Sequence, residues 1–233
     1  MAKQISTLTF FKYQSLKNKV WAFGMMQFAH AHLRNVAGLQ FYKLLGSGKA
    51  GFDPRPDWSV YALLQVWDDE TAADTFFENS KLVERYKQRS TEQYTLYLKN
   101  KIARGKWAGQ TPFVPHKDLS ETIPQIAVIT RATIKTKFLR KFWKYVPTSQ
   151  EPLWKNDGLL FTKGIGEVPI SQMATFSLWK DQEALDTYAY QSKEHIKAIG
   201  ETRRLNWYKE ELFSRFQPYR SIGSWEGVAP IDF

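Results

Sequence analysis

Apolar and polar positions alternate along several stretches of this chain. Trp58–Trp67 puts Val60, Ala62, Leu64 and Val66 on one side, and Ile170–Trp179 sets Ile170, Ala174, Phe176 and Leu178 against Ser171, Thr175 and Ser177. A period of two is that of a half-buried strand. Ser6–Tyr13, Gly38–Leu45, Tyr94–Leu98, Gln125–Ile134, Leu159–Ile165 and Trp207–Phe216 also read as strands. Between them the period lengthens. Leu16, Val20 and Phe23, with Trp21, Met25 and Phe28, predict a helix over Leu16–Leu33 with a wide buried face. Asp68 and Asp69 are N-cap residues for a helix to about Arg89. Lys137–Tyr145 predicts a helix that stops near Pro147. Asp181 caps one to about Tyr190, and Ser192 would cap a further piece through about Arg204. Gly46, Gly48, Gly51, Pro54 and Pro56 mark a loop.

The element order is therefore β-α-β-β-α-β, twice. The two copies also align residue by residue. Gly38, Phe41, Lys43 and Gly46 meet Gly158, Phe161, Lys163 and Gly166. Trp67, Asp69, Ala72, Asp74 and Thr75 meet Trp179, Asp181, Ala184, Asp186 and Thr187, and RGKWAG at Arg104–Gly109 is echoed by IGSWEG at Ile222–Gly227. Such a repeat predicts one supersecondary unit used twice. The expected fold is α+β: two tandem ferredoxin-like repeats, residues 1–110 and 125–233, joined by a linker over residues 111–124. Packed sheet against sheet, they make a pseudo-dimeric α+β barrel with an apolar space between sheet and helices.

Composition narrows the chemistry. The 233 residues include nine Trp and sixteen Phe, enough apolar surface for a core and for an apolar pocket as well. There is no Cys, which excludes disulfides and thiolate ligands. No run reaches the ~18 apolar residues of a membrane span, and no signal-peptide pattern opens the chain, so the expected location is cytoplasmic. The net charge of +10 is spread along the chain, apart from a cluster at Lys135–Lys144. That cluster reads either as a solvated helix face or as a membrane-surface patch, because Phe138, Phe142 and Trp143 interleave with its cations. No recognition motif for nucleic acid is present, and neither GxxxxGK[ST], GxGxxG nor GxSxG occurs.

Several segments, in order, resemble the spheroidene monooxygenase family of carotenoid-modifying enzymes: TLTFFKYQSLKNKVWAFGMMQFA, GLQFYKLLGSGKAGFDPRPDWSVYALLQVW, ARGKWAGQTPF, ITRATI, LLFTKGIGEVP and HIKAIGETRRLNWYKEELFSRF. The resemblance runs from about Thr7 to Gly227 and lies in the order of the segments, none of which is a catalytic signature. It implies a monooxygenase that uses molecular oxygen and a ferredoxin-type electron donor to put a keto group on an acyclic carotenoid. Two successive hydroxylations at one carbon, followed by loss of water, account for the keto product. The resemblance further implies haem b, with an axial His from the second half, and an inner-membrane surface from which the substrate is drawn.

Of the four His, His30 and His32 lie two apart on a helix and point to different faces, and His116 lies in the linker. His195, within HIKAIGETRR, is the expected iron ligand on the strength of the resemblance; its helical face continues through Ile199, Thr202 and Asn206. Arg131 either faces inward to polarise bound oxygen or faces solvent. Lys43, Lys163 and Arg55 either hold haem propionates or, for the two lysines, carry over a symmetry inherited from duplication. Two other functions stay open: a cofactor-free oxygenase on the same fold, and a non-catalytic binder of haem or lipid.

Overall fold

The structure is a computed structural model that describes residues 3–49, 53–144, 153, 156–191, 204–226 and 233. The first repeat runs β1 (Ile5–Lys12), α1 (Leu16–Phe28), α2 (His30–Leu33), β2 (Leu39–Lys49), β3 (Asp53–Trp67), α3 (Glu70–Asn79), α4 (Lys81–Arg89) and β4 (Glu92–Gly105). The second runs β5 (Ile126–Ile134), helical turns over residues 136–144, β6 (Leu159–Val168), β7 (Gln172–Trp179), a short helix at Gln182–Asp186 and β8 (Tyr208–Gly223). All eight strands pair antiparallel into one closed barrel, in the order β1-β3-β2-β6-β7-β5-β8-β4. The expected α+β barrel is what forms.

The two repeats match down to their irregularities. A register shift at Leu39/Phe41 recurs at Leu159/Phe161. The Asp68 amide donates to the Gly38 carbonyl at 2.8 Å, and the Lys180 amide donates to the Gly158 carbonyl at the same distance. Each glycine is needed for close packing: a Cβ at Gly38 would stand 2.5 Å from Ala72 Cβ, and one at Gly158 would stand 2.2 Å from Ala184 Cβ. Asp69 and Asp181 each cap a helix, accepting from the Ala72 and Ala184 amides at 2.9 and 2.8 Å.

Two seams close the barrel. At the narrow one, Gly46 pairs with its own repeat mate, Gly166. At the wide one, β4 and β8 pair from Tyr94–Gly223 to Gly105–Leu212, and these end pairs are also mates. The interior is a packed core of Phe10, Phe161, Phe176 and Phe216, into which the mates Trp107 and Trp225 both pack. An eight-stranded barrel is just wide enough for side chains to fill it, so this interior is not a pocket.

Several boundaries differ from expectation. Strands β2 and β3 take in Gly46, Gly48, Pro54 and Pro56, which read as a loop, because the two strands go on pairing with each other as far as Lys49–Asp53. The helix expected from Asp69 to about Arg89 is broken at Ser80, whose hydroxyl accepts from the Leu82 amide at 3.2 Å and caps α4. The wide buried face expected of Leu16–Leu33 is corrected as well. Ala22 and Met25 are buried, but Leu16, Val20, Phe23 and Phe28 are exposed. The helix expected after Ser192 lies outside the described residues.

Gly105 and Gly223 have φ of +94° and +88°, and a Cβ at either would stand 2.1 Å from a carbonyl oxygen, that of Glu211 or Gln93. Substituting either by Ala should therefore cost about 1–3 kcal/mol. Chemical denaturation of Gly105→Ala and Gly223→Ala checks this, and equal losses are expected from the two mates.

Candidate active site

The shared scaffold makes the differences between the halves legible. In the first half the outer face of the sheet carries Phe11, Tyr42, Leu44, Tyr61 and Leu63, packed under α1, α3 and α4 with Trp21, Phe76 and Tyr86. Strand registers assign their mates without ambiguity, since Phe11 pairs with Tyr61 as Ala132 pairs with Met173, and Leu44 pairs with Leu63 as Gly164 pairs with Thr175. The mates are thus Ala132, Thr162, Gly164, Met173 and Thr175. At each of the five positions the second half has the smaller or slimmer side chain. Among the described residues, the outer cluster there comprises Ile126, Val128, Leu153, Trp179 and Leu185, with Tyr188 stacked on Trp179 at 5.3 Å. Burial pushes the Tyr188 phenol up to about 12, so it stays a neutral hydroxyl at physiological pH. The outer face of the second sheet is thus cleared of bulk at these five positions.

This cleared face continues into a groove of about 210 Å³ over the narrow seam. Gly164, Gly166 and Met173 form its end on the second sheet, and Phe23, Trp58 and Ile170 stand at its other walls. Two carboxylates line it, both paired. Lys43 donates to Glu167 at 2.6 Å, and Lys163 donates to Asp57 at 3.0 Å, so the repeated lysines make mirrored ion pairs on either side of the Gly46–Gly166 pair. Burial works to raise the Asp57 pKa, but hydrogen bonds from Ser59 and Lys163 outweigh it and hold the group below the usual carboxylate range.

Arg131 faces inward, the first of its two expected orientations. It is 3% exposed and meets protein anions, donating to Glu167 at 3.2 Å and to Glu210. Glu167 also accepts from the Trp107 indole at 2.7 Å, and Glu210 accepts from the Ala108 and Gly109 amides at 2.8 and 2.7 Å. Burial opposes the Glu210 charge, yet those amides and Arg131 keep its pKa below the ordinary value. The guanidinium therefore lies on the inner side of β5, across the sheet from the cleared outer face.

The structure brings Lys43, Arg131 and Glu167 together, with Lys163 across the seam, and leaves Arg55 on an exposed part of β3. His195 lies outside the described residues. The other three histidines are away from the cleared face. His30 Nδ1 is 3.0 Å from the Tyr42 hydroxyl, and burial, with Arg34 and Lys43 adding to it, pushes its pKa down. His32 is exposed on α2, and His116 accepts from the Asp118 amide at 3.0 Å in the connection between repeats. No group of three or more His, Asp or Glu among the described residues could hold a bare metal ion. Also among them, no helix is long and apolar enough to cross a membrane. Sequence reasoning missed the cleared face and the carboxylates Asp57, Glu167 and Glu210. The signal for the face was present in the repeat alignment, where Leu44 stands opposite Gly164 one residue after the matched lysines.

No family model matches the chain. Among curated proteins, a spheroidene monooxygenase of Cereibacter sphaeroides is 36% identical over 98% of this chain and 71% of the relative. One of Rhodobacter capsulatus is 33% identical over 97% and 95%, and one of Rubrivivax gelatinosus is 32% identical over 90% and 80%. Among solved structures, an aldoxime dehydratase superposes with a TM-score of 0.62 at 10% identity, over 93% of this chain and 82% of that one. That second likeness is one of fold.

Removing Arg131 would leave Glu167 to Lys43 and Trp107, and Glu210 to the Ala108 and Gly109 amides. Arg131→Met should cost about 1–3 kcal/mol, and Arg131→Met/Glu210→Gln should cost less than the single change in the same denaturation assay. Because the folded Glu210 pKa is depressed, its contribution to stability is present above the unfolded carboxylate pKa and is lost as pH falls through the folded value. Glu210→Gln should flatten the acid limb of a stability–pH curve.

Proposed function

The chain belongs to the spheroidene monooxygenase family, an oxygenase by that membership, and on this premise we propose that it is a haem-dependent enzyme that oxidises an acyclic carotenoid, first to the alcohol and then to the ketone. The overall balance is one O2, two electrons and two protons for each hydroxylation, one oxygen atom entering the C–H bond and the other leaving as water. A ferredoxin-type donor supplies the electrons, and the net charge of +10 favours docking of an acidic protein.

The observation that carries this reading is the one-sided clearance of the second sheet. Ala132, Thr162, Gly164, Met173 and Thr175 fit a flat, largely apolar macrocycle as its floor, where their mates in the first half would fill the same space. His195 would hold the iron. Haem b bound there supplies a redox iron at which dioxygen is activated. The chain's own residues do the rest. The stacked Trp179 and Tyr188 close one flank against water, and the groove ending at Gly164 and Met173 aims a substrate end at the cleared face. At about 210 Å³ the groove is smaller than the roughly 300–1,000 Å³ of sites that enclose a whole ligand, so it takes a chain end and leaves the remainder outside. Arg131, held by Glu167 and Glu210 on the opposite side of β5, positions the strand beneath that floor.

The test is the visible spectrum of protein produced with iron and a haem precursor. A Soret band is expected in the wild type and should be lost or shifted in His195→Ala. Thr175→Leu with Ala132→Phe restores the side chains of the first half and should abolish the band while leaving the melting temperature within a few degrees. A band indifferent to both changes would overturn the site, and a colourless but active protein would replace it with cofactor-free oxygenation.

A further inference from the structure

Helix α1, LKNKVWAFGMMQF, is apolar on both sides. Its inner side buries Ala22 and Met25. Its outer side presents Leu16, Val20 and Phe23, one stripe at spacings of four and three, which are 77%, 63% and 55% exposed. Trp58 extends the stripe, with its ring 5.1 Å from that of Phe23, and Val168 and Ile170 stand across the mouth of the groove, also exposed. A contiguous apolar surface of this kind on a helix that has already buried its other side marks an interaction site.

The charges around it choose the partner. Helix α1 carries Lys17 and Lys19 and no carboxylate. On the far rim the Trp143 indole donates to the Ile170 carbonyl at 3.1 Å, which fixes the helical residues 139–144 beside the β6–β7 turn. Their aromatic Phe142 turns inward, with its ring 5.6 Å from that of Trp207, while Arg140, Lys141 and Lys144 stay exposed. None of these five cations has an ion-pair partner among the described residues. The two carboxylates within the groove are already paired with Lys43 and Lys163. The surface is thus an apolar, aromatic-bearing plateau with a basic rim, complementary to anionic headgroups over hydrocarbon.

We propose that this plateau — Leu16, Val20, Phe23, Trp58, Val168 and Ile170 — docks on an anionic lipid bilayer and opens the groove directly into it. An apolar chain then passes from lipid to the cleared face of the second sheet without crossing water. The route rests on the oxygenase reading, whereas the docking does not and is measured apart from it.

The purified full chain, with and without haem, is floated with carotenoid-free vesicles of phosphatidylcholine alone or mixed with phosphatidylglycerol. Binding to the mixed vesicles is expected in both forms of the protein, weakening with salt. Val20→Ser/Phe23→Ser should lower the partition coefficient about tenfold or more, and Lys141→Glu and Lys144→Glu should each lower it about fivefold. Melting temperatures should not move, since all four side chains lie at the surface. Failure to bind mixed vesicles, or binding indifferent to Val20→Ser/Phe23→Ser, overturns the proposal. So does a dimer in sedimentation that the double substitution dissociates, which would make the plateau a contact between copies. Docking that persists in a protein without a Soret band would retain the membrane surface and remove only the haem reading.

Discussion

Closure of the barrel is the constraint on which the rest depends. Each repeat alone would be a four-stranded sheet with two unpaired edges, and such edges are a hazard unless they are covered. Pairing β4 with β8, and Gly46 of β2 with Gly166 of β6, removes both edges of both sheets. Both seams lie on the pseudo-two-fold, so a residue at either must be compatible with its own mate. Glycine meets that condition at the narrow seam, where Gly46 and Gly166 face each other. At the ends of the wide seam Gly105 and Gly223 adopt positive φ beneath the carbonyls of Glu211 and Gln93.

Closure also dictates where chemistry can go. With eight strands the inside is filled by aromatics, and the polar groups admitted there must neutralise one another. Arg131, Lys43, Glu167 and Glu210 do so as a connected set, with Lys163 and Asp57 as a separate pair. An ion network of this kind costs desolvation on every member, and its return is register: it joins β2, β5, β6 and β8 through contacts that fit in one alignment only. The outer faces are the remaining places for a ligand. Helices α1, α3 and α4 cover the first.

Much of this was legible because duplication leaves paired constraints. Gly38 and Gly158 survive opposite Ala72 and Ala184 since neither contact admits a Cβ, and Asp69 and Asp181 survive as caps; such positions align by eye. Strand ends were less legible. Gly46 reads as punctuation, while one of its two pairing partners, Gly166, lies in the other repeat. Ser80 reads as an ordinary helical residue, though it stops one helix and starts the next. Arg131 could be placed on a strand but not given partners, because Glu167 and Glu210 are brought to it by other strands. The outer stripe of α1 was misread for a physical reason: apolar periodicity reports which side chains avoid water, not whether protein or another apolar phase covers them.

The asymmetry between the halves is concentrated on three strands. Five outer positions on β5, β6 and β7 are smaller than their mates, while on the neighbouring β8 Phe213 is larger than its mate Thr95. The groove that reaches this cleared area crosses the seam to the opposite repeat, where the apolar stripe of α1 begins. The groove thus draws its walls from both repeats. Fusion into a single chain allows each copy to specialise while the closed barrel holds the two in register.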